Sequence, residues 1–164
     1  MNADPVETAW KVHASLLDWT GKADSKAAFA LTVESGILVA ITALSGNGRR
    51  LGKLSEGAPV SLLYTGVSLL ALAILFAAAA VLPNVRKGAV SNEAADNFIF
   101  FGHLKSWEWR DLEKALRERD PLPVISRQLV VMSRIAWRKH ACVKASLFLS
   151  VLGSALVALG GLLG

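Results

Sequence analysis

The sequence predicts an all-α integral membrane protein with three transmembrane helices. Crossing about 30 Å of hydrocarbon takes roughly 20 mainly apolar residues, and three stretches are long enough: residues 27–46, 60–82 and 141–163. Hydrophobic residues make up 53% of the chain and charged residues only 19%, a balance that favours a membrane protein over a soluble domain. A charged segment, residues 83–140, separates the last two stretches.

The first helix is predicted to begin well before the membrane. Asp4, Pro5 and Glu7 form a typical helix start, because aspartate can cap the first turn and proline suits the first helical position. Apolar residues then recur at helical spacing, so we predict one helix from about residue 5 to residue 44. At 1.5 Å per residue this helix is about 60 Å long, and residues 5–26 precede the span.

Two further helices are predicted from the charged segment onward. The second span ends at Pro83 and Asn84, which break helices, and a new helix is predicted near residues 91–119. Asp120 and Pro121 end it, and the following helix continues without a break into the third span. The apolar face of the helix near 91–119 consists of Phe98, Phe101, Leu104, Leu112 and Ala115. These lengths predict a cytoplasmic helical bundle formed by extensions of spans 1 and 3 plus the helix near 91–119.

The distribution of basic residues predicts the orientation. Lys and Arg close to spans are retained on the cytoplasmic side, which places the N-terminus and residues 83–140 in the cytoplasm and Gly164 outside. Arg49 and Arg50 in the first loop oppose this assignment weakly. The eleven basic residues of the charged segment are Arg86, Lys87, Lys105, Arg110, Lys114, Arg117, Arg119, Arg127, Arg134, Arg138 and Lys139.

Signatures of enzymes and metal sites are missing from the sequence. His13, His103 and His140 lie far apart and lack the spacing of metal ligands. Neither a phosphate-binding loop nor a nucleophile elbow occurs, and the single cysteine, Cys142, excludes a cysteine metal site within one chain. We therefore expect no catalytic residue, no metal and no cofactor.

Charged residues where the first helix meets the membrane are the first candidate site. Asp24 and Lys26 are two residues apart and cannot face each other on a helix, so each needs its own partner. Either both anchor the helix, with Lys26 extending to lipid headgroups, or they join polar residues of the other helices. Glu34 lies within the span, where an acid is by default a functional hypothesis, unless it is close enough to the interface to be hydrated.

Two more clusters are candidates. Asn97, Phe101 and Gly102 belong to an aromatic stretch in which the adjacent rings cannot share one helix face. Such a stretch indicates either core packing or a pocket that stacks a base, and glycine allows close approach. Next to the third span, a basic cluster consists of Arg134, Arg138 and Lys139. It suits either anionic lipid or a phosphate group.

Small residues in the third span predict association of helices. Ser150, Gly153 and Ala158 are part of a small-residue face that lets helices approach closely. We expect a homo-oligomer on this ground.

The clusters, taken in order, resemble the Pycsar effector transmembrane family over about residues 8–160. Its motifs are Ala-Asp-x-Lys-Ala at residues 23–27, a second span ending at Pro83-Asn84, and the stretch 97–102. A third helix with Gln128, Ser133, Ile135 and Lys139-His140 then runs into the last span. His140 stands where the family has an aromatic residue.

The resemblance implies a role in antiphage defence in the bacterial inner membrane. A partner cyclase that senses infection makes a 3′,5′-cyclic pyrimidine nucleotide, cUMP or cCMP; the effector binds it and disrupts the inner membrane, and the cell dies before phage mature. The implied partners are the cyclic nucleotide, the cyclase through its product, and the bilayer, with no nucleic acid. By carry-over, the site residues are Asp24, Lys26, Asn97, Gly102 and Lys139.

A different class of function remains open on the residues alone. The chain could be a membrane scaffold whose basic bundle binds a protein partner or anionic lipid. A membrane-bound enzyme would need a catalytic cluster, and the sequence contains none that we recognise.

Overall fold

The structure is a computed structural model. It describes residues 4–46, 51–54, 57–82 and 97–163. Several sequence predictions concern residues outside these ranges: the break at Pro83 and Asn84, the helix start near Ser91, and the positions of Arg49, Arg50 and Gly164.

The described residues form helices and contain no strand. The elements are α1 (Pro5–Leu44), a short 3₁₀ helix (Leu51–Lys53), α2 (Ala58–Val81), α3 (Phe101–Leu104), α4 (Trp109–Glu118) and α5 (Pro121–Leu163). By length and composition, α1, α2 and α5 are each able to cross a membrane. The predicted fold class, all-α with three transmembrane helices, is confirmed.

The two longest helices begin with the same local chemistry. The Asp4 carboxylate accepts a hydrogen bond from the backbone N–H of Val6 at 3.0 Å, and Asp120 accepts one from Leu122 at 2.9 Å. Each aspartate precedes a proline, which has no N–H to leave unpaired at the first helical position. The Asp-Pro pairs therefore determine where α1 and α5 begin.

The chain divides into two compact units, which are described separately. Residues 22–82 and 138–164 form the first, called here the membrane unit. Residues 1–21 and 83–137 form the second, the charged unit. Helices α1 and α5 contribute residues to both units.

The buried positions along each helix of the membrane unit are three, four or seven residues apart. This spacing is that of left-handed, knobs-into-holes helix packing. The buried residues are Ala23, Ala27, Ala30, Glu34 and Ile41 on α1, Gly66, Leu70, Ala73, Ala77 and Ala80 on α2, and Val143, Ser146, Ser150, Gly153 and Gly160 on α5. Most are small, so the three helices pack at short range.

Contacts between these residues establish the helix directions. Ala27, Ala80 and Val143 form one cluster, and Ile41, Leu51 and Leu70 form another. Ala27 of α1 packs with Ala80 near the end of α2, whereas Ile41 near the end of α1 packs with Leu70 earlier in α2. Helix α2 is therefore antiparallel to α1. A Cβ added at Gly66 would lie 2.6 Å from the Gly153 carbonyl oxygen, and only glycine permits this approach of α2 to α5.

The charged unit differs from prediction in the region 91–119. In place of one helix the described part of that region has two short ones, α3 and α4. The indole N–H of Trp107 donates a hydrogen bond to the backbone oxygen of Asn97 at 3.1 Å, and its ring meets Phe98 edge to face. These contacts fold the chain back on itself, which a continuous helix would prevent. Phe101, predicted on the apolar face, is 71% exposed.

We predict that Gly66→Ala destabilises the membrane unit by about 1–3 kcal/mol, because the added methyl group overpacks a rigid backbone contact. The control is Gly36→Ala, since a Cβ at Gly36 meets no atom within 4 Å. Alanine there should be neutral or stabilising by up to about 1 kcal/mol. Unfolding in mixed detergent micelles measures both variants, and equal stability of the two would contradict the close approach of α2 and α5.

Candidate functional site

An ion pair connects the first and third spanning helices. The Lys139 ammonium of α5 contacts the Asp24 carboxylate of α1. The Lys139 side chain is only 14% exposed, whereas that of Asp24 is 40% exposed. Of the two alternatives for Asp24, an anchor at the membrane surface or a contact with another helix, the structure shows a contact with Lys139 of α5.

The residues beside Asp24 allow this contact. Ala23 and Ala27 are fully buried, and their small side chains let α5 come close enough for Lys139 to reach the carboxylate. The ion pair also offsets the cost of burying an ammonium group, which is large for an unpaired charge. The Ala-Asp-x-Lys-Ala motif thus combines a close helix contact with a charge that faces it.

Three other predicted basic residues are exposed. Lys26 lies on a different face of α1 from Asp24, as the spacing of two requires. Arg134 and Arg138 are four residues apart and share an exposed face of α5. The predicted basic cluster therefore divides: the two arginines face outward, and Lys139 faces α1.

The remaining predicted residues lie together in the charged unit. Asn97 and Gly102 are buried and Phe101 is exposed. The Phe100 ring lies 4.5 Å from that of Phe101 and 5.3 Å from that of His103, centroid to centroid. This turn brings Asn97, Phe101 and Gly102 into one compact segment.

Gly102 has a steric role in this turn. A Cβ at this position would clash with the Phe100 ring, so a side chain would displace that ring from His103. His103 is buried, and within the described residues its Nδ1 atom has no hydrogen-bond partner. No spacing with acids or other metal ligands singles out His103 in the sequence, and histidine is only intermediate in its tendency to be buried.

A second polar contact lies deeper in the membrane unit. The Ser146 hydroxyl donates a hydrogen bond to Glu34 Oε1 at 2.6 Å, and both residues are buried. Glu34 Oε2 is also buried and has no partner among the described residues. Glu34 is 1% exposed, so its side chain faces the helix packing of the membrane unit.

Ser146 was missed as a partner, although the sequence carries a signal for it. It is seven residues from both Lys139 and Gly153, so the three share one face of α5. Among the residues that the structure describes, no group of three or more His, Cys, Asp or Glu side chains could hold a metal ion.

The fold and these contacts define a multi-pass membrane protein whose helices are joined by polar pairs. The chain belongs to the Pycsar effector family of antiviral defence proteins: the family model described as "Pycsar effector protein domain" matches residues 8–164. The resemblance inferred from residues 23–27 and 97–102 is thereby confirmed. No curated protein and no solved structure matches the chain significantly.

We predict that Asp24 and Lys139 are energetically coupled. A double-mutant cycle with Asp24→Asn and Lys139→Met should give a coupling energy of about 1 kcal/mol or more, in the range measured for contacting residues. The matched control is the exposed pair Glu113–Arg117, joined at 2.8 Å within α4, which should give no more than about 0.5 kcal/mol. Additive effects of Asp24→Asn and Lys139→Met on unfolding in detergent would argue against the ion pair.

Proposed function

We propose that this protein is an antiphage effector that binds a cyclic pyrimidine nucleotide, cUMP or cCMP, made by a partner cyclase, and then disrupts the inner membrane. The infected cell dies before phage mature. The observation that carries the proposal is the family match over residues 8–164 in a chain with three helices able to cross a membrane.

The nucleotide phosphate has a candidate binding group in the membrane unit. A cyclic phosphate is an anion that pairs strongly with Lys and Arg through charge-assisted hydrogen bonds. Lys139 is held by Asp24, while Lys26 and Arg138 are exposed. A phosphate that pairs with Lys139 competes with the Asp24 carboxylate for that ammonium group.

This competition supplies a trigger. Helices α1 and α5 run parallel, and they contact each other through the Asp24–Lys139 and Glu34–Ser146 pairs. A ligand shifts a conformational equilibrium by as much as it prefers one state. If the phosphate takes Lys139 from Asp24, it favours the state in which α1 and α5 separate, and the spans rearrange.

Residues of the charged unit form a second group of candidates. Phe101 exposes a ring on which a pyrimidine can stack, and Asn97 and Gly102 shape the same turn. Arg134 is exposed on α5. Substitution of each residue, with nucleotide affinity as the readout, tests this group separately from the ion pair.

The proposed orientation places the N-terminus and residues 83–140 in the cytoplasm, where the cyclase product is released. The excess of Lys and Arg in residues 83–140 supports it. We also propose that the effector acts as a homo-oligomer, since the small-residue face of α5 favours helix association.

A scaffold function is the second candidate, and one observation favours it. The charged unit exposes the large apolar side chains of Trp10, Leu17, Trp109 and Leu116, and tryptophan is enriched at protein interfaces. A stable protein partner recovered with the intact chain, together with no effect of either nucleotide, would support this function.

We predict that cUMP or cCMP binds the purified protein and releases dye from liposomes that contain it. Lys139→Met should reduce nucleotide affinity by about tenfold or more, because charged hydrogen bonds contribute about 1.5–3 kcal/mol. The control is Lys114→Met, an exposed lysine on α4, which should bind and leak like the wild type. Titration calorimetry measures binding, and dye fluorescence measures leakage. The absence of both binding and leakage with both nucleotides would refute the function.

A further inference from the structure

The Glu34–Ser146 contact places an acid where helix packing alone does not require one. Most neighbouring positions on the buried faces of α1, α2 and α5 are alanine or glycine. Glu34 is 1% exposed, and its Oε2 atom is buried without a hydrogen-bond partner among the described residues. Burying an unpartnered carboxyl oxygen costs about 1–3 kcal/mol or more, so its presence calls for a reason other than packing.

The position of Glu34 is well inside the spanning part of α1. It lies about 15 Å along the helix axis from Asp24, at 1.5 Å per residue. Among the described residues, the Glu34 carboxyl group accepts a hydrogen bond from the Ser146 hydroxyl and is not paired with a cation. Lys144 is the nearest lysine in sequence to Ser146 on α5, but it is exposed, and residues two apart do not share a helix face.

Buried polar residues continue along α5 from the contact with α1. The Asp24–Lys139 pair is followed by Glu34 with Ser146, and Ser150, four residues beyond Ser146 on α5, is also buried. We call these five residues the polar seam. Three residues beyond Ser150, Gly153 of α5 packs directly against the backbone of α2.

We propose that the polar seam becomes a cation path when α1 and α5 separate, and that Glu34 is the group that selects cations over anions. The proposal rests on the proposed function, since the nucleotide supplies the opening. A carboxylate lining a hydrated pore attracts cations and repels anions. Glu34 Oε2 is unpartnered, so it is available to a hydrated monovalent cation such as K⁺ while Ser146 retains its bond to Oε1.

Helix adhesion is the competing explanation. Hydrogen bonds between polar side chains hold transmembrane helices together, and Glu34 with Ser146 could do only that. The two explanations predict different results for the Glu34→Gln variant. Glutamine keeps the size and the acceptor oxygen and therefore the adhesion, but it removes the charge on which selection depends.

The test is the reversal potential of the full-length protein in planar bilayers under a KCl gradient, with cUMP or cCMP added. Separation of α1 and α5 is also forced without nucleotide by Ala27→Leu, which overpacks the contact between Ala27 of α1 and Val143 of α5. The current under each of the two opening conditions is recorded for the protein with Glu34 unchanged, for Glu34→Gln and for the charge-conserving Glu34→Asp. Glu113→Gln on α4, outside the membrane unit, is the matched control.

We expect K⁺ to permeate over Cl⁻, and Glu34→Gln to lower the permeability ratio by about tenfold, equivalent to about 1.4 kcal/mol. Glu34→Asp and Glu113→Gln should preserve it. Non-selective current, an unchanged ratio in Glu34→Gln, or no current under any condition overturns the cation path. Calorimetry with cUMP and cCMP reports separately on the proposed function. Binding with non-selective leakage leaves that function intact, and selective current from Ala27→Leu without nucleotide binding refutes only that function.

Discussion

Close contact between three helices is the constraint on which the membrane unit depends. Lipid chains are as apolar as leucine, so the hydrophobic effect does not draw helices together in a bilayer, and adhesion depends on how closely their backbones approach. Alanines of α1 and α2 and glycines of α5 meet this need at heptad positions. Where Gly66 meets Gly153 there is no space for a side chain. One register of the three helices results, and the polar contacts follow from it.

The polar contacts that form the proposed site lie on the same helix surface as the contacts that stabilise the membrane unit. Lys139 meets Asp24, and Ser146 meets Glu34, because both pairs lie on the close contact between α1 and α5. A ligand that competes for one of these groups therefore acts directly on helix packing. In the proposed function, this arrangement couples anion binding to a change in the spans.

The sequence predicted the helices better than their contacts. The Asp4-Pro5 helix start and the apolar stretches depend on neighbouring residues, so the sequence predicts α1 and α2 to within a few residues. For α5 it predicts the break at Asp120-Pro121 and a helix that continues into the third span. The apolar spacing of the segment near 91–119 is helical and predicts one helix. In the structure the Trp107 indole donates a hydrogen bond to the backbone oxygen of Asn97, and the described part of the segment forms two short helices. Phe101 is exposed for the same reason. A hydrogen bond from a side chain to a backbone oxygen ten residues away does not change the periodic spacing of apolar residues, so the sequence pattern does not reveal it.

The amino-acid sequence by itself determined the class of protein, the spans, the helix starts and the residues with candidate chemistry, because each is a property of composition or local spacing. Only the tertiary structure decided which of those residues meet. Lys139 and Asp24 are 115 residues apart, and Ser146 and Glu34 are 112 apart. Their pairing depends on the register of α1 against α5, which small residues on three helices establish together.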